Sequence, residues 1–168
     1  MHYLKRVILF LLFTTWFNGQ SQEVEHLLCN DYWITVDFQY FNLRSSHFNF
    51  QGEEDHCIAQ SNKSYPFDED IHIVIRNQYE SRVALENYNT KRTVSETIYG
   101  FMDVYNLGDE AFAVLNTEFG QLESILIEVV KGQYAITFEI SGNTAARSNN
   151  RFNKETVLDF ARTVVSGL

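Results

Sequence analysis

The chain has 168 residues, of which 45% are hydrophobic and 21% charged, with one proline and eight glycines. That composition fits one globular domain and excludes a disordered, collagen-like or low-complexity chain. Thirteen Lys and Arg stand against 22 Asp and Glu, a formal net charge of −9, which disfavours DNA, RNA or an anionic membrane surface as partner.

Residues 1–21 have the anatomy of a secretory signal peptide. Lys5 and Arg6 precede the apolar run Val7–Phe17, and the small, polar stretch Asn18–Gln22 follows. The apolar run is 11 residues long, whereas about 20 are needed to span a bilayer as a helix. Cleavage after Gly19 or Ser21 leaves residues 22–168 as a single domain, expected to be periplasmic or secreted. No later segment is apolar enough to span a membrane. In an oxidising compartment the two cysteines, Cys29 and Cys57, are expected to form a disulfide. Such a crosslink would contribute roughly 3.5 kcal/mol by the chain-entropy argument.

Along the mature chain, Gln22–Asn30 offers a short helix with Val24, Leu27 and Leu28 on one face. Trp33–Phe41 alternates, placing Ile34, Val36, Phe38 and Tyr40 on one side, and reads as a half-buried strand. Leu43–Asp55 reads as a loop or frayed strand. His56–Gln60 and Ile71–Ile75 are short strands. Asn77, with Glu80 three residues on, offers an N-cap for a helix over Gln78–Asn89, on which Arg82 and Glu86 pair at i, i+4. Thr93–Tyr99 is ambiguous.

The last third carries the strongest pattern. Phe101–Tyr105 is a strand and Asn106–Glu110 a turn. Ala111–Thr117, Leu122–Val130 and Gln133–Ser141 form successive antiparallel strands, turned at Phe119-Gly120 and Lys131-Gly132. In the final strand Tyr134, Ile136, Phe138 and Ile140 share a face. Asn153 caps a helix over Lys154–Ser166 that Gly167 ends. Its apolar positions include Val157, Phe160, Ala161 and Val164, and Phe160 is expected to pack on Ile136, Phe138 and Leu126. The expected fold is α+β: an antiparallel sheet of five to seven strands packed on one face by two or three helices, the C-terminal helix among them.

The segment Leu107-Gly108-Asp109-Glu110-Ala111-Phe112, a hairpin through Lys131-Gly132, and a closing helix with Phe160-Ala161-Arg162-Thr163-Val164-Val165 resemble exported Mog1/PsbP-like domains. The resemblance covers residues 100–168. It implies the α+β fold and, since such domains are mostly binding or accessory modules, a non-catalytic role.

The chemistry-bearing residues point the same way. His26 with Cys29, and His56 with Cys57, lack the paired spacing of a structural zinc site, and neighbours on a strand face opposite sides. Asp55-His56-Cys57 has the residue types of a cysteine nucleophile without convergence in space. Glu53-Glu54-Asp55 and Asp68-Glu69-Asp70 read as solvated acids, without the ligand spacing of an EF-hand. No metal, cofactor or catalytic residue is therefore assigned. Asn62-Lys63-Ser64 is a formal glycosylation sequon. Trp33, Tyr40, Phe41, Phe48 and Phe50 crowd one region and are the candidate contacts for a small apolar ligand or a protein partner. The expected function is an exported binding or accessory domain. The alternatives are a small secreted hydrolase using carboxylates or His56, and an inhibitor or immunity-type protein that binds a basic partner.

Overall fold

The computed structural model describes residues 29, 32–33, 36, 44–62, 69–142 and 152–168. Seven strands form one antiparallel sheet: β1 (Phe48–Gly52), β2 (His56–Ser61), β3 (Glu69–Asn77), β4 (Phe101–Asp103), β5 (Glu110–Glu118), β6 (Gln121–Lys131) and β7 (Tyr134–Gly142). Their spatial order is β1-β2-β3-β7-β6-β5-β4. Two longer helices, α1 (Ser81–Ser95) and α2 (Lys154–Ser166), pack on the sheet, and a 3-10 turn at Ser45–His47 leads into β1. The α+β class, the antiparallel sheet and the C-terminal helix are as expected. Tyr40, Phe41 and most of the expected Trp33–Phe41 strand lie outside the described residues.

The sheet sorts its side chains by period two. Ile71, Ile73 and Ile75 of β3 face the same way as Ile136, Phe138 and Ile140 of β7 and Ile125, Ile127 and Val129 of β6. This face carries the main core. α2 covers it with Val157, Leu158, Phe160, Ala161, Val164 and Val165, all buried. Asn153 caps that helix, its Oδ1 accepting from Thr156 N at 2.9 Å. Leu126, expected beneath Phe160, lies one register step off: it pairs with Val114 and Glu139 on the opposite face.

α1 lies on that opposite face, against β6 and β7. Ala84 and Tyr88 join Phe112 and Val130 in a second, smaller cluster. The helices therefore divide between the two faces rather than sharing one. Lys91 reaches down from α1 to both carboxylate oxygens of Glu128, at 2.8 and 2.7 Å, and Thr137 Oγ1 donates to the same carboxylate at 2.9 Å. The helix starts at Ser81, later than expected. Asn77 does not cap it, because Asn77 Oδ1 accepts from Tyr79 N at 2.8 Å and from Gln133 Nε2 at 3.1 Å. The β6–β7 turn falls at Gly132-Gln133, one residue later than expected.

The N-terminal positions Cys29, Tyr32, Trp33 and Val36 recur at helical spacing and all enter the main core. Cys29, Tyr32 and Trp33 are helical, so Trp33 does not open a strand. Tyr32 donates its hydroxyl proton to the Val164 carbonyl of α2. Cys29 rests on Gly52, where an added Cβ would stand 2.5 Å from Cys29 Cβ. The Cys29 thiol donates to Gln51 O at 3.2 Å.

The expected Cys29–Cys57 disulfide is not formed. Both cysteines are buried free thiols, too far apart to be bonded at the ~2.05 Å a disulfide requires. Burial, and then the neighbouring Cys29 thiol, push the Cys57 thiol well above its ordinary range, which keeps it protonated and unreactive.

Candidate functional site

Of the aromatic residues expected to meet a ligand, Trp33 and Phe48 are buried and Phe50 is packed against them. Trp33 stacks on Phe50 at 5.6 Å, Phe50 stacks on Phe48 at 6.1 Å, and Tyr32 meets Trp33 edge-on at 5.0 Å. Their faces are turned on one another, so this cluster closes the core under the N-terminal segment.

A cleft opens elsewhere, between α1 and the connection from β4 to β5. Its volume is about 390 Å³, and its walls are Tyr88, Arg92 and residues 103–111. The sequence builds the second wall from both sides. Val104 and Leu107 are buried and anchor it to the core. Asn106 and Gly108 adopt left-handed φ values of 59° and 64°, which turn the chain sharply between these anchors. At Gly108 a Cβ would stand 2.5 Å from Val129 Cγ1 and 2.6 Å from Val130 O, so only glycine permits this approach. Asp109 then pins the wall to the sheet, accepting from Gly132 N at 2.6 Å through Oδ2 while its own N–H donates to Val130 O at 2.8 Å.

Arg92 forms the other wall. Its Nη1 lies 2.6 Å from Asp103 Oδ1 and its Nε 2.9 Å from Glu96 Oε1. The guanidinium also stands 5.4 Å from the centre of the Phe101 ring. The Asp103 carboxylate, and after it the Tyr88 hydroxyl, raise the Arg92 pKa further above the ordinary range. Tyr88 sits beside Arg92, 3% exposed; its hydroxyl makes no well-aligned hydrogen bond among the described residues, and the Arg92 side chain is the group it faces. Burial raises the Tyr88 pKa, Arg92 offsets part of that rise, and Glu110 and Asp103 add to it. The hydroxyl therefore stands within the field of three other cleft residues.

Sequence reasoning singled out Asp109 and Glu110 only as part of a family likeness, and it missed Tyr88, Arg92 and Asp103. Tyr88 carried the one available signal, a large aromatic on a helix otherwise polar on nearly every side.

Other groups are more open. In the β1–β2 hairpin, His56 Nδ1 lies 2.8 Å from Asp55 Oδ1 and 3.9 Å from Glu53 Oε2. The three ligand atoms lie within 4.8 Å of one another, an arrangement that sequence reading had divided between a solvated acid run and a strand. His56 and Cys57 do face opposite sides of β2, so imidazole and thiol do not converge. A second cavity of about 320 Å³ lies between the β5–β6 turn and the start of α2, lined by Leu115, Leu122, Phe152 and Lys154 among others. Val94, Ile98, Tyr99 and Phe119 are exposed apolar side chains, and Tyr99 and Phe119 are 92% and 97% exposed. No helix among the described residues is long and apolar enough to cross a membrane. No family model matches this chain, and neither a curated protein nor a solved structure is similar to it.

Proposed function

We propose that the protein is an exported, non-catalytic binding or accessory domain whose ligand site is the cleft between α1 and residues 104–109. The observation that carries this reading is the Tyr88 hydroxyl, buried on the cleft wall without a well-aligned hydrogen bond among the described residues. Leaving such a group unpaired costs about 1–3 kcal/mol, which a bound ligand recovers by supplying the partner. The cleft's size lies within the usual range of small-molecule sites. The leader-like pattern of residues 1–21 supports export. The likeness of residues 107–112 and of the closing hairpin and helix to Mog1/PsbP-like domains supports a binding role. The test is a titration of isotope-labelled protein with pooled small molecules, followed by amide NMR. Shifts gathered at Tyr88 and Val104–Ala111 are expected. Turnover of an ester, glycoside or peptide substrate that is lost in His56→Ala would replace this reading with the hydrolase.

One observation favours a protein as a second partner. Val94, Ile98 and Tyr99 leave the end of α1 apolar and exposed. Gly100 O accepts from Leu115 N of β5, the strand that Phe119 follows. Exposed large apolar groups close in sequence, as at Val94, Ile98 and Tyr99, suit a contact surface, and the surplus of acid suits a basic partner.

A further inference from the structure

We propose that this cleft takes an organic cation, an ammonium or guanidinium group on an apolar body; the proposal rests on the reading that the cleft is the ligand site. Asp103, Asp109 and Glu110 are among its lining residues, against one guanidinium, from Arg92, and the Asp103 and Glu110 carboxylates act on the Tyr88 hydroxyl. Arg92 is already committed, at 2.6 Å to Asp103 and 2.9 Å to Glu96, with its face toward Phe101. Asp109 is met by a neutral amide, the Gly132 N–H. The Glu110 carboxylate is exposed and has neither an ion pair nor a side-chain hydrogen bond among the described residues. Neither of these negative charges has a counter-charge among the described residues, and that of Glu110 is the one that acts on Tyr88.

Each class of ligand meets this wall differently. An anion would have to draw Arg92 away from Asp103 while facing Asp109 and Glu110. A neutral ligand can use the Tyr88 hydroxyl but leaves both charges unmatched. A cation meets the carboxylates, and its N–H groups supply the well-aligned hydrogen bond that the Tyr88 oxygen lacks. Its apolar body finds the exposed Tyr105 ring at the rim. The formal charge of −9 draws cations toward the molecule as a whole. The wall is fixed beforehand by buried Leu107, by Gly108 and by the Asp109–Gly132 hydrogen bond, so little ordering accompanies binding.

The experiment uses three probes with one body: 2-phenylethylamine, 2-phenylethanol and phenylacetate. Each is titrated into the whole domain while the amide resonances of Tyr88 and Val104–Ala111 are followed. The amine is expected to bind about tenfold more tightly than the alcohol, the order of one charge-assisted hydrogen bond, and to weaken with salt. Glu110→Gln, an exposed and nearly isosteric change, should remove most of that difference while leaving alcohol binding and the melting temperature as they were. Tyr88→Phe should weaken both amine and alcohol. If the alcohol or phenylacetate binds these same resonances as well as the amine does, the cation is wrong and the cleft remains the ligand site. If none of the three moves these resonances, the cleft reading falls with it.

Discussion

Phe119 holds a φ of 50° at the tip of the β5–β6 hairpin while almost all of its ring is in water. A branched or bulky L-residue is strained there, whereas Asn tolerates that turn geometry. Phe119→Asn is therefore expected to stabilise the fold by about 0.5–1 kcal/mol in thermal melts; a loss of stability would show that the ring packs on the domain after all. The opposite hairpin supplies a pH prediction. The hydrogen bond from His56 holds the Asp55 carboxyl below its usual value. Its contribution to stability is thus present above the ordinary Asp pKa of about 3.9 and is lost as pH falls through the lowered value. His56→Gln should raise the Asp55 midpoint in an NMR titration, and an unmoved midpoint would remove the pairing. The sequence showed both residues but not their contact, because Asp55 lies at a turn whose geometry depends on the β1–β2 register.

At the scale of elements, α2 was legible with its bounds, whereas α1 was legible as a helix with its Arg82–Glu86 pair but not in its start, its length or its seat. Asn153, the spacing of Val157, Phe160, Ala161 and Val164, and Gly167 mark the bounds of α2 without reference to the rest of the chain. Phe160 is fully buried among core residues, so Phe160→Ala should cost about 3–5 kcal/mol in urea or thermal denaturation. Arg162 pairs with Asp159 near the surface, at 2.6 Å, and Arg162→Ala should cost less than about 0.5 kcal/mol. The reverse ranking would mean that the helix is turned over. α1 buries only Ala84, Tyr88 and Ser95, so its apolar periodicity is faint. Its seat is fixed by the ion pair of Lys91 with Glu128, which is 6% exposed, and no local pattern announces a contact between residues so far apart in sequence. Lys91→Ala strands the Glu128 carboxylate and should destabilise by about 1–3 kcal/mol. Replacing both, with Lys91→Met and Glu128→Leu, should recover most of that loss. No recovery would place the effect in the helix itself. β1 was legible only as a loop or frayed strand for a related reason: Phe48–Gly52 is short and ends in glycine, and it becomes a strand by pairing with β2.

Across the whole molecule, the sequence revealed the β5–β6–β7 hairpins, where short turns dictate which strand follows which. It did not reveal the pairing of β3 with β7, nor which helix covers which face, since a one-residue shift of register reverses every side chain. The sheet consists of two meanders, β1-β2-β3 and β4-β5-β6-β7, joined along one seam from Glu69↔Gly142 to Asn77↔Tyr134. Within each meander partners are close in sequence, but the seam joins residues 57 to 73 positions apart. A chain emerging from ribosome or translocon N-terminus first completes β3 long before β7 exists. During that interval Ile71, Ile73 and Ile75 present an apolar face, and one side of β3 shows unsatisfied amides and carbonyls. The nascent protein thus passes through a stage with a sticky open edge at what becomes the middle of the sheet, where another copy can pair in place of β7. Closing this seam is the least local pairing in the sheet, and it carries the largest loop-closure cost of any strand pair.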